Sequence, residues 1–157
     1  MIAVNYQNRF NPAIAYLFEL LHNGTLGEVR FFSGTLRWWR DSSYFGTGWR
    51  GKQDAAGGML YNQGSHLINI MYNVCGPIRK VTAVKKKMMQ DNVMVDDMYL
   101  GLIEFENGAL GNLELTTHTK FKSFESAIFL ICENGSIAIS GNSLNKLEFI
   151  SLHDKRV

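Results

Sequence analysis

The sequence predicts an α+β fold: an open, mainly antiparallel β-sheet with its helices on one face. Three observations support this prediction. Two helical patterns occur in the first half of the chain, and the second half changes to a period of two residues, the spacing of β-strands. Asn-Gly pairs at 107–108 and 134–135 lie between apolar runs, which is typical of tight β-hairpins. A length of 157 residues is enough for one domain with a sizeable core.

The N-terminal part of the chain predicts a short strand followed by a helix. Residues 2–6, with the sequence IAVNY, have the apolar character of a strand. Asn11 is placed to cap a helix that begins at Pro12, and Gly24 is placed to end it. The apolar stripe of this helix consists of Ile14, Leu17 and Leu21.

A long strand, a loop and a second helix follow. Residues 28–39, EVRFFSGTLRWW, predict the strand, and residues 40–56 predict a loop whose length suggests a function. The second helix is predicted over 59–74, because Gly76 and Pro77 then stop it. Further strands are predicted at 78–89, 96–105, 109–117, 124–132, 136–140 and 145–151.

Both faces of the predicted sheet are apolar, in the strand 97–105 and again in 127–132. An antiparallel sheet with one face in water alternates apolar and polar residues, and two helices cover only one face. We therefore expect a second copy of the chain to cover the other face, in a homodimer or homotetramer. In 97–105 the two sets are Met98, Leu100 and Leu102 on one face and Tyr99, Ile103 and Phe105 on the other.

Composition argues against several classes of function. The net charge of +2 is too small to indicate a nucleic-acid or membrane-surface partner, and no apolar run approaches the length of about 18 residues that spans a bilayer. Cys75 and Cys132 lie far apart and fit buried thiols of a cytoplasmic protein. No histidine has a ligand partner at metal-binding spacing, so we expect no metal.

Residues 46–51, GTGWRG, match the G-x-G-x-x-G spacing of a dinucleotide-binding turn. Those glycines bind a pyrophosphate only between a buried strand and the start of a helix. Here a polar and aromatic segment, 40–45, precedes them, and Trp49 would crowd the phosphate. We therefore assign no cofactor-binding residue in this chain and expect that it does not bind NAD by itself.

A polar stripe marks the second predicted helix. Asn62, His66, Asn69 and Asn73 share one side of the helical wheel. A solvated helix face explains this spacing, but the stripe has amides and an imidazole in place of the usual Lys and Glu. Such side chains suit hydrogen bonds to hydroxyl groups, and His66 can take up a proton near neutral pH. The residues on the opposite side are Leu60, Leu67, Met71 and Val74.

Glycines weaken the start of this helix, at Gly57, Gly58 and Gly64, as expected where another group approaches closely. The preceding segment, RWWRDSSYFGTGWRG, combines arginines with aromatic residues. Arginine suits phosphate or carboxylate groups and aromatic rings stack on sugars or bases, although the loop can also pack its rings on itself. Its arginines are Arg37, Arg40 and Arg50, and its aromatic residues include Trp38, Trp39, Tyr44 and Trp49.

Several of these segments together resemble one enzyme family. They are NYQNRFNPAI, LGEV, RWWR with the later Tyr and WRG, GGMLYNQGSHLINI with CGP, and FENGALG. In order and spacing they are similar to the C-terminal domain of the glucose-fructose oxidoreductase, inositol dehydrogenase and MocA family. The resemblance extends from Asn5 to about Gly141, and NYQNRFNPA with NQGSH is similar to its UDP-N-acetyl-2-amino-2-deoxyglucuronate dehydrogenase branch.

The resemblance implies a dihydrodipicolinate-reductase-like domain that works beside a separate Rossmann domain. That Rossmann domain would bind NAD(P) and supply a lysine from a Glu-Lys-Pro motif. Residues 1–10 would then be the strand and linker that follow the Rossmann domain, and residues 11–157 the substrate-binding and oligomerisation domain. The family usually has Asp at the positions of Asn62 and Asn69, and GKQDAAGG departs from its usual glycine run.

The resemblance also assigns roles to side chains. His66 would accept a proton while Asn62 orients a sugar hydroxyl, although the lysine of the other domain is an alternative base. The implied reaction is oxidation of a hydroxyl, at C3, of a nucleotide sugar used in lipopolysaccharide synthesis. The alternatives are a family enzyme acting on a free sugar or inositol, and a non-catalytic oligomerisation domain. The implied substrate-binding residues are Arg9, Arg40, Tyr44, Trp49, Arg50 and Gln63.

Overall fold

The computed structural model describes residues 6–55, 57–88 and 93–153, which form one seven-stranded sheet with helices against it. The strands are β1 (Val29–Arg37), β2 (Ile78–Lys86), β3 (Met98–Phe105), β4 (Leu110–Thr116), β5 (Glu125–Cys132), β6 (Gly135–Ser140) and β7 (Lys146–Leu152). Their order across the sheet is β2-β3-β4-β1-β5-β6-β7. The predicted α+β class, with a mainly antiparallel sheet, is confirmed.

Three α-helices accompany the sheet. They are α1 (Pro12–His22), α2 (Ser42–Gly46) and α3 (Ser65–Cys75), with a 3₁₀ turn at Gln7–Phe10 and a π-helical turn at Leu60–Gly64. The strand predicted over 2–6 falls almost entirely outside the described residues. In the part of the chain that the structure describes, no helix is long and apolar enough to cross a bilayer.

The predicted strands and hairpins of the second half are confirmed to within a few residues. Glu106-Asn107-Gly108 joins β3 to β4, and Gly108 has a φ of +85°, which a residue with a side chain rarely adopts. Glu133-Asn134-Gly135 joins β5 to β6, although Gly135 already begins the strand. A Cβ at Gly135 would lie 2.3 Å from the Ser151 carbonyl oxygen, so close approach of β7 requires glycine there.

Three local predictions need correction. Asn11 precedes α1, but its side chain makes no cap; its Nδ2 donates to the Ser143 carbonyl and ties the helix start to the β6–β7 connection. The segment 40–56 contains α2 in place of a continuous loop. The helix predicted over 59–74 begins with the π turn Leu60–Gly64, which an apolar pattern does not distinguish from an α turn.

The centre of the sheet contains a parallel pair, β1 and β4, in register from Phe31 opposite Leu110 to Arg37 opposite Thr116. Their pairing continues past the strand ends, because the Trp38 N–H donates to the Thr116 carbonyl at 2.9 Å. The Arg40 N–H then donates to the Thr117 carbonyl at 3.1 Å. The backbone that leads into α2 is thereby fixed to the C-terminal ends of the central strands β1 and β4.

The core lies between the sheet and the helices α1 and α3. The cysteines belong to it, as predicted, and burial raises the pKa of the Cys75 thiol to about 12 and that of Cys132 to about 11. Its largest fully buried side chains include Ile14, Leu17, Phe32, Ile70, Met71, Phe105, Leu115, Ile128 and Leu130.

The opposite face of the sheet, here called the open face, has no helix on it among the described residues. The alternation predicted for β3 is confirmed: Ile103 and Phe105 are buried, whereas Leu102 is 65% exposed. Arg37 also lies there and bonds Glu114 at 2.6 Å and Glu125 at 2.5 Å, and its guanidinium lowers the pKa of the Glu114 carboxyl. Other exposed apolar residues on this face are Leu100, Leu110, Ile131 and Phe149.

Candidate functional site

The helix α2 positions Tyr44 near the C-terminal ends of β1 and β4. Asp41 is its N-cap, with its carboxylate accepting from the Tyr44 N–H at 3.0 Å and from the Ser43 hydroxyl at 2.7 Å. These bonds lower the pKa of the Asp41 carboxyl, the Ser43 hydroxyl contributing most. The next residue, Phe45, is buried, and its ring packs against the Tyr44 ring at a centroid distance of 5.2 Å.

The glycines before the π turn bring the aromatic loop against the helix start. The Gly57 N–H donates to the Lys52 carbonyl at 2.8 Å, and the Gly58 N–H donates to the Arg50 carbonyl at 2.7 Å. A Cβ at Gly57 would lie within 2.6 Å of three carbonyl oxygens, those of Trp49, Arg50 and Lys52. The close approach predicted from these glycines is therefore made by the protein's own backbone.

The π turn directs two amides to one hydroxyl. Asn62 Nδ2 and Gln63 Nε2 each donate to the Tyr44 phenol oxygen at 2.8 Å. Gln63 is buried and only 6% exposed, which a surface amide would not be. A π-helical turn inside a helix often occurs at functional sites, and here its widened backbone turns Gln63 as well as Asn62 toward α2.

His66 lies on the next turn, in the first residues of α3. The edge of its ring meets the Tyr6 ring in a T-shaped contact, with centroids 5.6 Å apart and planes at 88°. Burial lowers the pKa of the His66 imidazole below its ordinary value, because the charged form loses solvation. At neutral pH the ring is therefore uncharged and able to accept a proton.

Three buried polar atoms along this stripe have no hydrogen-bond partner among the described residues. They are Gln63 Oε1, His66 Nδ1 and Asn69 Oδ1. Buried polar groups nearly always have partners in folded proteins, so unpaired ones call for an explanation. Asn73, the last member of the predicted stripe, is exposed and donates to the Asn69 carbonyl.

Two cations flank the same tyrosine. The guanidinium carbon of Arg40 lies 5.2 Å from the Tyr44 ring centroid and that of Arg50 lies 5.0 Å from it. Arg40 also lies over the Trp38 ring at 5.0 Å, and Arg50 lies 6.0 Å from the Trp49 ring. The predicted loop residues Arg40, Tyr44, Trp49 and Arg50 therefore meet Asn62 and Gln63 in one cluster.

Two other arginines lie elsewhere: Arg9, one of the implied substrate-binding residues, and Arg37 of the arginine-rich segment. Arg9 contacts the Phe10 ring at 5.8 Å and has no recorded contact with the Tyr44 cluster. Arg37 belongs to the open face, where its glutamate partners hold it. GTGWRG begins at Gly46, the last residue of α2, so a helix and not a strand precedes it, unlike the strand–turn–helix context of a dinucleotide turn.

The structure adds residues that the sequence prediction missed. Tyr6 contacts His66, and Asp41 fixes Tyr44; the second was detectable, since Asp before a short helix is a common N-cap. His118 has its Nδ1 3.4 Å from Oδ2 of the fully buried Asp97. Asp97 precedes β3 and His118 follows β4, so pairing of these two strands brings the residues together, and spacing in the sequence cannot indicate the contact.

Comparisons with known proteins agree with this architecture. The profile of the GFO/IDH/MocA C-terminal domain matches residues 14–138. A levoglucosan dehydrogenase from Pseudarthrobacter phenanthrenivorans is 25% identical over 179 residues, covering 99% of this chain and 45% of that protein. The chain thus spans about half the length of this relative.

Two WlbA dehydrogenases, each solved with NADH and UDP-GlcNAcA, have the same fold. The enzyme from Chromobacterium violaceum superposes with a TM-score of 0.91 at 26% identity, over 98% of this chain and 45% of its own. The enzyme from Bordetella pertussis superposes with a TM-score of 0.89 at 23% identity, over 96% of this chain and 46% of its own. The profile match covers most of the chain, and the chain therefore belongs to the GFO/IDH/MocA C-terminal domain family of oxidoreductases.

Proposed function

We propose that this chain is the substrate-binding part of an NAD(P)-dependent dehydrogenase that oxidises a hydroxyl, at C3, of a nucleotide sugar. The observation that supports the proposal most is the row of unpaired polar atoms at Gln63, His66 and Asn69, which lies beside the Tyr44 cluster. The two amide oxygens require a donor, the imidazole nitrogen donates or accepts according to its tautomer, and the hydroxyls of a sugar ring can fill both roles. In this proposal the enzyme serves surface-polysaccharide synthesis in the cytoplasm.

The described residues do not fit a dinucleotide. They contain no parallel βαβ unit. The parallel strands β1 and β4 are neighbours in the sheet, but they are not consecutive in the chain, because β2 and β3 lie between them. In the proposal a separate N-terminal Rossmann domain therefore binds NAD(P), and NAD(P) is the hydride acceptor. The family relatives with bound NADH support this division, because this chain covers less than half of each of them.

Proton removal is assigned to His66. As hydride leaves a carbinol carbon, the hydroxyl proton must leave too, and a base within hydrogen-bond reach accelerates that step. His66 is uncharged at neutral pH, and Asn62 on the preceding turn can orient the same hydroxyl without adding negative charge. Arg40, Tyr44, Trp49, Arg50 and Gln63 are assigned to substrate binding, and Arg9 remains a peripheral candidate.

A free sugar is the second candidate substrate. The relative named levoglucosan dehydrogenase is similar over nearly the whole chain, which favours it. The two cations beside Tyr44 favour an anionic nucleotide sugar instead, because a neutral sugar leaves both unpaired. The open face of the sheet, with its exposed apolar residues, is assigned to self-association in a homodimer or homotetramer.

A turnover panel with the full-length enzyme tests this function. NADH formation is measured with UDP-GlcNAcA, UDP-GlcNAc, levoglucosan and inositol at equal concentrations. We expect UDP-GlcNAcA to have the highest kcat/KM, by at least about tenfold, since each pairing of a charged group contributes about that factor to binding. A higher kcat/KM for levoglucosan or inositol would contradict the nucleotide-sugar assignment, and no turnover of any of them would favour a non-catalytic domain.

A further inference from the structure

We propose that Tyr44, Arg40 and Arg50 form a cradle for an oxyanion of the substrate, with the Tyr44 hydroxyl as a hydrogen-bond donor to it. The inference rests on the proposed function, because it concerns the same substrate site. It adds the chemical group that this part of the site recognises: a carboxylate or a phosphate, in place of a neutral hydroxyl.

The hydrogen bonds of Tyr44 fix the direction of its remaining proton. A phenol oxygen has two acceptor positions and one hydrogen. Asn62 Nδ2 and Gln63 Nε2, both at 2.8 Å, occupy the acceptor positions. With both amides presenting their nitrogens to the phenol oxygen, the hydroxyl hydrogen is left to donate to a group outside this pair. Both amides belong to the π turn Leu60–Gly64, and the arrangement is present without a ligand.

The charge beside the Tyr44 ring is positive, because the guanidinium carbons of Arg40 and Arg50 lie 5.2 and 5.0 Å from its centroid. Within the described ranges, neither Arg40 nor Arg50 forms an ion pair, and the one side-chain hydrogen bond recorded for them joins Arg40 to the Trp39 carbonyl at 2.6 Å. The nearest acid in sequence, Asp41, has its carboxylate committed to the cap of α2. Two guanidinium groups and a phenol hydrogen thus present donors only, which matches an oxyanion.

The unpaired Gln63 Oε1 indicates what lies next to that oxyanion. Gln63 is only 6% exposed. Its Oε1 requires a hydrogen-bond donor, and an oxyanion has no hydrogen to donate. A sugar acid carries a hydroxyl on the carbon beside the one that bears its carboxylate. One sugar acid can therefore satisfy both the donors of the cradle and the acceptor of Gln63, whereas a diphosphate satisfies only the donors.

The test compares ligands that differ in a single group. UDP-GlcNAcA and UDP-GlcNAc differ only in carrying a carboxylate or a hydroxymethyl group. Their dissociation constants are measured by calorimetry for the full-length enzyme, for Tyr44→Phe and for Arg50→Gln. Tyr61→Phe is the matched control, because it removes the same hydroxyl from an exposed tyrosine. Two further titrations separate the sources of the oxyanion. UDP tests the phosphate, and the comparison of glucuronate with glucose tests the carboxylate.

We expect Tyr44→Phe and Arg50→Gln each to weaken UDP-GlcNAcA binding by about tenfold or more, with Tyr61→Phe unchanged. A carboxylate source predicts a smaller loss for UDP-GlcNAc, and a phosphate source predicts equal losses for both sugars and for UDP. Tyr44→Phe also leaves the amides of Asn62 and Gln63 unpaired, which affects both ligands alike. The ratio of the dissociation constants of UDP-GlcNAcA and UDP-GlcNAc removes that common effect. Binding of all ligands within twofold of wild type would overturn the cradle.

The proposed function can fail separately. If the wild-type enzyme binds glucuronate more tightly than glucose but binds neither UDP-sugar, the cradle stands and the nucleotide-sugar assignment fails. If the wild-type enzyme prefers neither sugar acid over its neutral counterpart, and Tyr44→Phe and Arg50→Gln leave UDP binding unchanged as well, the cradle itself is overturned. Arg50→Lys supplies a second check, since it keeps the charge but loses the fork and should recover only part of the affinity.

Discussion

Replacing His66 by Asn in the full-length enzyme is expected to lower kcat by about 10²–10⁴-fold, the usual cost of losing a general base. The Tyr6 contact fixes one edge of the imidazole, and burial keeps it uncharged at neutral pH. Asparagine keeps a polar group of similar size but cannot accept the proton. The change should therefore affect kcat far more than it affects substrate binding.

The pH profile of this reaction has a predictable direction. Because burial lowers the His66 pKa, the base stays unprotonated until the pH falls below the ordinary histidine value of 6.5. In the wild type the rate should therefore fall on the acid side only below that value, and His66→Asn should lose this limb. Asn62→Ala should cost less than His66→Asn while keeping the limb, since an amide only orients the hydroxyl.

His22→Asn is the matched control for this experiment. His22 ends α1, away from the stripe, and its Nδ1 lies 2.7 Å from the Phe18 carbonyl oxygen. We expect this variant to retain wild-type kcat at every pH. If His66→Asn itself keeps kcat within about threefold from about pH 6 to pH 9, the base lies elsewhere, and the lysine of the Rossmann domain becomes the candidate.

If the chain self-associates through the open face, as proposed, changing Leu102 to Lys is expected to make it a monomer. Leu102 is 65% exposed at the centre of β3, on the open face, with Leu100 and Leu110 exposed on the same surface. Burying one leucine in an interface contributes about 1.5–3 kcal/mol, and a two-fold interface buries it twice. A buried lysine adds a desolvation cost, so association should weaken at least about 100-fold.

Light scattering of the 157-residue chain at micromolar concentration measures this effect. Tyr72→Lys is the control, because Tyr72 is 52% exposed on α3, on the helix side of the sheet. We expect the control to keep the oligomeric mass of the wild type. A wild-type chain that is a stable monomer would show that the exposed leucines of the open face do not mediate assembly.

Much of the fold is predictable because its patterns are local. Alternating apolar residues and the Asn107-Gly108 turn define β3 and β4, and the same pattern around Asn134 defines β5 and β6. The parallel pairing of β1 with β4 was not predictable in this way. It joins Phe31 to Leu110, far apart in the chain, and no turn or period specifies which distant strands become neighbours.

Half of the candidate site is likewise local. Asn62 and His66 lie one turn apart, so their shared side of the helix follows from helical geometry alone. Their meeting with Tyr44 depends on α2, on the Asp41 cap and on the π turn, none of which an apolar pattern reveals. The sequence left the role of the arginine-rich segment open, and its first arginine, Arg37, lies on the open face beside Glu114 and Glu125.

The central claim is that the start of α3 is the sugar site of a nucleotide-sugar dehydrogenase. The most direct measurement is an NMR titration of the 157-residue chain with UDP-GlcNAcA, following the side-chain amides of Asn62 and Gln63 and the imidazole of His66. We predict saturable shifts at these three residues and at Tyr44, and no saturable shifts on titration with NAD. Shifts confined to other surfaces, or saturable NAD binding that Gly48→Val abolishes, would contradict this claim.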